Sequence, residues 1–216
     1  MRNIFFNPRV GEDYENKGFN GIKLLILGES HYCDDKRIKC EICGIQSNND
    51  CSNFTKGVLN RYFNYKKGKV KHEDWMRTFT RFTNVLLGNQ VDNKTLIEFW
   101  DSVIFYNYVQ SSTDGPRTSP TNLQFIESQA AFISILEENK PDLILVWGKR
   151  LWENLPNIGR WGDEDILDNA NGHFYYYKVN NNEIPAYRIY HPSTSYFNYE
   201  YSKYLKEAIR IVSKSK

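Results

Sequence analysis

No run of apolar residues in this chain approaches membrane-spanning length, and residues 1–8 lack the long apolar core of a secretory signal. A cytoplasmic protein without membrane association is therefore expected. A strong excess of either charge is missing as well: the formal net charge is +2, so the totals by themselves do not call for a polyanionic partner. No internal repeat is evident. What remains is a sequence of 216 residues, 40% hydrophobic and 25% charged, long enough to close a core as one domain. A monomer is the expectation.

Aromatic residues, by contrast, are plentiful: 15 Tyr, 13 Phe and 5 Trp. Most should fill the core, leaving a minority to stack on flat ligands. Charge is also unevenly placed. Lys66, Lys67, Lys69, Lys71 and His72 form a basic block, with Arg77 and Arg81 following at helical spacing. Such clustering suits phosphate contacts, and a solvated loop would carry the same pattern.

Four apolar runs of buried-strand length stand out: 24–27, 103–109, 143–147 and 186–190. The segments between them are long enough for helical crossovers, and the expected fold is α/β, a three-layer α/β/α sandwich around a central, mainly parallel four-stranded sheet. Residues 73–87 place Trp75, Phe79, Phe82 and Leu86 on one helical face, with Gly88 as a stop. Leu123, Ile126, Ala130, Ile133 and Leu136 suggest one further helix with a buried stripe, and Leu205, Ala208, Ile209 and Val212 mark a last one. Short helices are expected at 95–100 and 149–155, a loop at 159–172, and a strand and turn at 174–182.

Two of the apolar runs stop at polar residues. The first is followed by Gly28, Glu29, Ser30, His31 and Tyr32, the last by His191, Pro192 and Ser193. Parallel strands deliver functional side chains at their carboxyl ends, so the two segments suggest one shared cleft, with Asn107 contributed by a third strand. His191 has the chemistry of a hydrogen-bond donor to a carbonyl oxygen, and Asn107 offers both a donor and an acceptor. A histidine satisfying a loop carbonyl and a structural asparagine are the alternatives.

All four cysteines lie in one polar stretch, an insertion at about 33–53, as Cys33, Cys40, Cys43 and Cys51. The Cys-x2-Cys pair flanked by two further thiols has the local spacing of a closed tetrahedral site, pointing to one structural zinc; free thiols are the alternative.

In order and spacing these elements resemble the uracil-DNA glycosylase superfamily. Gly28-Glu29-Ser30-His31-Tyr32 is similar to the first motif of that family, GQDPY in one branch and GExPG in the iron-sulfur branch. His191-Pro192-Ser193 matches the start of the second motif, HPSPLS. Asn107 occupies the place of the strand-borne asparagine, and 141–148 resembles the strand and glycine before the second motif. The resemblance runs from about residue 21 to the last helix, within a single domain over 1–216. It implies hydrolysis of the N-glycosidic bond of uracil or another damaged base in single- or double-stranded DNA, as in base-excision repair, without an organic cofactor.

By that resemblance Glu29 and His191 would be catalytic, and Gly28, Ser30, His31, Tyr32, Phe54, Asn107 and Ser193 would contact the substrate. Phe54 would be the stacking platform, and Tyr196 or Phe197 the duplex wedge in place of Ser195. Ser30 stands where GQDPY has aspartate, and His31 replaces its proline. The alternative is accordingly a catalytically altered member that binds nucleic acid or nucleotide.

Overall fold

The computed structural model describes residues 4–32, 51–115, 118–163 and 173–214. Its elements run β1 (Arg9–Val10), β2 (Leu24–Gly28), α1 (Phe54–Lys66), α2 (Met76–Leu87), α3 (Asn93–Asp101), β3 (Ile104–Asn107), α4 (Asn122–Glu127), α5 (Gln129–Asn139) and β4 (Leu143–Trp147). They continue with α6 (Lys149–Asn154), β5 (Gly159–Trp161), β6 (Tyr175–Val179), β7 (Asn182–Ile189) and α7 (Ser202–Lys214). Short 3-10 turns precede α1 and α7.

Every residue of β2, β3 and β4 is buried. Side chains alternate across a strand, so each run feeds two cores at once. Leu24, Ile26, Leu143, Leu145 and Trp147 face one layer of helices, α1, α2, α3 and α7. Leu25, Leu27, Ile144 and Val146 face the other, α4, α5 and α6. This explains why the strands read as continuous apolar runs instead of alternating ones.

The four expected strands are adjacent and mutually parallel, in the order β3-β2-β4-β7. The sheet itself is larger than four strands and mixed. β1 adds antiparallel to β3 at one edge, and the β7-β6-β5 meander extends the other, giving seven strands among the described residues. β6 and β7 are joined through Asn180, whose φ of 54° suits a tight hairpin turn, and such a turn forces antiparallel pairing. The expected loop at 159–172 is corrected in its first part, since β5 occupies Gly159–Trp161 with all three residues exposed. A three-residue strand without a buried face carries no alternating pattern to read.

The single helix expected over 123–136 is two. Ser128 ends α4; its hydroxyl donates to the Gln124 carbonyl and accepts from the Gln110 N–H. The break shifts the helical phase, so Phe125, Phe132, Ile135 and Leu136 are buried while Leu123 and Ile126 stand 61% and 60% exposed. α1 had no expected counterpart, and its weakly amphipathic sequence with Gly57 inside accounts for that.

The α1/α2 side of the core is aromatic. Phe79 lies at its centre, with ring centroids 5.2 Å from Trp100 and Phe105, 5.5 Å from Tyr62, 5.7 Å from Trp75 and 5.8 Å from Trp147. These edge-to-face and tilted contacts join α2 to β3 and to the carboxyl end of β4. Phe79→Ala should therefore cost about 3–5 kcal/mol in urea unfolding, as buried Phe truncations do, and Phe79→Leu clearly less. An alanine variant within about 1 kcal/mol of the parent would show that the cluster collapses around the gap.

Candidate active site at the carboxyl ends of the strands

The parallel register places Gly28 beside Asn107 and brings the ends of β2, β3, β4 and β7 to one edge of the sheet. The β2–β3 ladder continues past the strands, since the N–H groups of Tyr108 and Val109 donate to the carbonyls of Gly28 and Glu29 at 2.9 Å. Gly28 is required by close approach. A Cβ there would stand 2.1 Å from Asn107 Oδ1, so the asparagine side chain lies over the glycine Cα.

Asn107 and His31 form a buried group. The Asn107 amide nitrogen donates to the Ser30 carbonyl at 3.2 Å and lies 3.1 Å from His31 Nδ1. His31 Nε2 is 2.9 Å from Thr55 Oγ1, and its ring sits 4.6 Å from Phe54 and 5.0 Å from Phe6 between centroids. The His31 carbonyl accepts from the Thr113 N–H at 2.8 Å, and Tyr32 forms a bridge with Thr113. Only 4% of His31 is exposed, and burial lowers its pKa to about 3. Its imidazole is neutral and packs between Asn107, Thr55, Phe54 and Phe6.

Glu29, Arg150 and His191 form a second, more open group. Arg150 donates from Nε to Glu29 Oε2 at 2.7 Å and from a second nitrogen to Oε1, a bidentate pair, while its third nitrogen donates to Ser119 Oγ. Gly148, with φ of 92°, turns the chain from β4 into α6 and so places Arg150 at this edge. A Cβ on Gly148 would be 3.4 Å from His191 Cβ, and the imidazole meets Trp147 edge-on at 5.8 Å between ring centroids.

The Ser193 backbone N–H donates to His191 Nδ1 at 3.2 Å, with Ser193 Oγ 2.7 Å from the same nitrogen. Nδ1 is thereby an acceptor, and the neutral ring carries its proton on Nε2. Burial holds the pKa of His191 below its ordinary value; the Glu29 carboxylate opposes that shift and Arg150 reinforces it. Arg150 follows Gly148, which lies against His191, and holds Glu29, so the three side chains gather at one edge of the sheet.

Of the residues expected from sequence, Gly28, Glu29, His191 and Ser193 are thus assembled at the strand ends. Asn107, His31 and Phe54 lie together in the buried group, Phe54 partly exposed at its margin. Phe197 is buried in the core and is corrected as a wedge, whereas Tyr196 is 69% exposed and stacks on Tyr190. Phe197 turns inward to pack on Phe82 and Tyr201. Cys51 opens the 3-10 turn before α1; Cys33, Cys40 and Cys43 lie outside the described residues. Among the described residues no group of three or more His, Cys, Asp or Glu is placed to hold a metal ion.

Three participants carry no clear mark in the sequence. Arg150 and Ser119 stand far from Glu29 along the chain, and Phe6 joins the buried group around His31 because Gln110 Oε1 accepts from the N–H groups of Phe5 and Phe6 at 2.9 and 3.0 Å. An isolated arginine after a strand-ending glycine is the available signal for the first. No protein-family model matches the chain, and neither does any curated protein.

Two pH effects follow. His31 binds a proton in the unfolded chain below its ordinary 6.5 but in the folded chain only below about 3. Its contribution to stability is complete above pH 6.5 and is lost as pH falls toward 3, by as much as about 5 kcal/mol. Unfolding of His31→Gln should accordingly depend less on pH between about 6.5 and 4; equal slopes in parent and variant would sink the assignment. For His191, proton NMR titration should give a midpoint below 6.5, lowered further in Glu29→Gln and raised in Arg150→Ala. A midpoint at or above 6.5 would contradict the desolvated site.

Proposed function

We propose that this chain hydrolyses the N-glycosidic bond of uracil or another damaged base in DNA. The observation that carries the reading is His191: its Nδ1 is occupied by Ser193, its ring is kept neutral by burial, and its Nε2–H is the remaining donor at the strand ends. Together with the resemblance of 28–32 and 191–193 to the two glycosylase motifs, that donor supplies what the reaction requires.

When the C1′–N bond breaks, its electron pair stays with the base and the sugar becomes oxocarbenium-like. A fixed neutral donor favours the anionic base more than the ground-state carbonyl, and so accelerates the step without tightening ground-state binding. The oxygen of a water molecule bonds to C1′, and the proton it sheds ends on the departed base. Each Glu29 oxygen already accepts from Arg150 but keeps lone-pair capacity with which to orient that water. The target base leaves its stack to reach such a pocket, and the partly exposed Phe54 offers it a flat face.

Base release from oligonucleotides carrying uracil, xanthine, hypoxanthine or a mismatch tests the proposal. His191→Ala should slow release by about 10²–10³-fold while DNA affinity changes little, because the donor acts mainly in the transition state. A specific observation favours a second reading, a nucleic-acid or nucleotide-binding protein with altered catalysis: the Glu29 carboxylate is held bidentately by Arg150. Oligonucleotide binding with no release of any of these bases would establish that reading and reject hydrolysis.

A further inference from the structure

Away from the strand-end cleft, the surface carries a groove of about 350 Å³ between the end of α1, one side of α2 and the chain at Asn198 and Tyr199. Arg77, Thr80, Arg81 and Asn84 recur at steps of three and four on α2 and line the groove beside the apolar Val85. Tyr65, Lys66 and His72 form the opposite wall, and among the described residues no carboxylate lines the groove.

The cations there are little neutralised. Arg77 meets Asp74 only at 3.5 Å, with both side chains exposed, and Arg81 forms no ion pair among the described residues. Lys66 lies with its ammonium 5.0 Å from the Tyr65 ring centroid and 5.5 Å from that of Tyr62. His72 meets the same Tyr65 edge-on at 5.2 Å. Tyr199 is 51% exposed at the mouth.

We infer that this groove is a track for the sugar-phosphate backbone of a single nucleic-acid strand, with Tyr199 as a stacking platform for one of its bases. Aligned cations, amide and hydroxyl groups and an exposed aromatic face are the combination by which proteins hold single strands without reading sequence. The location agrees: the loop that supplies His191 and Ser193 presents exposed Tyr196 on Tyr190 and then becomes the groove wall at Asn198 and Tyr199. A strand leaving the cleft along this loop meets α2 next. A free phosphate would not need an aromatic wall, and an acidic peptide would leave the exposed tyrosine without a planar partner.

The inference rests on the nucleic-acid part of the function proposed above, and its test avoids the reaction altogether. Binding is measured with an undamaged, labelled single-stranded oligodeoxynucleotide of about 15 nucleotides, long enough to cross one such groove. Arg77→Ala/Arg81→Ala should weaken binding at least about tenfold and make the slope of log K against log salt shallower by about 1.4, as expected when two phosphates are no longer neutralised. Tyr199→Ala should weaken binding about tenfold with the salt slope unchanged, the mark of a missing stacking platform.

Lys178→Ala, which removes a charge on β6 outside the groove, should bind this probe as the parent does. Parental affinity and salt slope in the double arginine variant would overturn the track, as would failure of the parent to bind the probe. Competition by an oligoglutamate peptide as effective as by the oligonucleotide would also overturn it, in favour of a protein partner. None of these results bears on base release, which is scored separately on damaged substrates.

Discussion

The whole arrangement depends on β2 being buried on both faces and bonded on both edges in parallel register. Because Leu25↔Ile104 and Leu25↔Ile144 align on either side of it, the neighbouring strands end at the same level. The candidate site residues are then delivered to one edge of the sheet: Glu29 and Ser30 from β2, Asn107 from β3, Gly148 and Arg150 after β4, and His191 after β7. A one-residue slip would send each of these side chains to the opposite face. Register is pinned by two cores with different contents, an aromatic one under α2 and a smaller one under α5, which a slipped strand could not both satisfy.

Within that edge, charge and burial are separated in a way that assigns roles. His31 and Asn107 lie behind Gly28, where a neutral imidazole and an amide satisfy one another and the Ser30 carbonyl. Their rigidity fixes the path of the 28–30 chain, and hence the starting point of the Glu29 side chain. Glu29 and Arg150 lie in front, each holding the other's charge, so His191 experiences opposed fields and desolvation decides its protonation state. Electrostatic preorganisation of this kind is set before any ligand arrives.

How much of this was legible depended on whether the signal was local. The four parallel strands were readable because doubly buried strands are continuous apolar runs, and α2 and α7 because their buried faces repeat at helical spacing. β1 and β5, with two and three residues, have no room for a period. The α4/α5 break turned on one serine hydroxyl shared between Gln124 and Gln110, which no periodicity encodes. At the site, Gly28, Glu29 and His191 announce themselves by terminating strands. Arg150 does not, because its meaning comes from a partner 121 positions away. Asn107 is legible as a strand residue, whereas its inward-facing amide is set by the Ser30 carbonyl and the His31 ring, contacts that no local pattern encodes.

The loop from His191 to Tyr199 shows why site and surface are coupled here. Its first residues are held by Ser193 and Thr194, whose groups bond back to the His191 ring and carbonyl. Farther on, Phe197 is locked into the aromatic core against Phe82, so the loop has a fixed point between its two exposed tyrosines. Tyr196 and Tyr199 therefore project from a stiff frame instead of a floppy one, and ordering them on a ligand costs little further entropy. The same buried phenylalanine ties the loop to α2, the helix that carries Arg77 and Arg81. Phe82 and Phe79 also pack on Trp147, which meets the His191 imidazole edge-on, so the aromatic core under α2 sets the spacing between the imidazole at the strand ends and the cations of the groove.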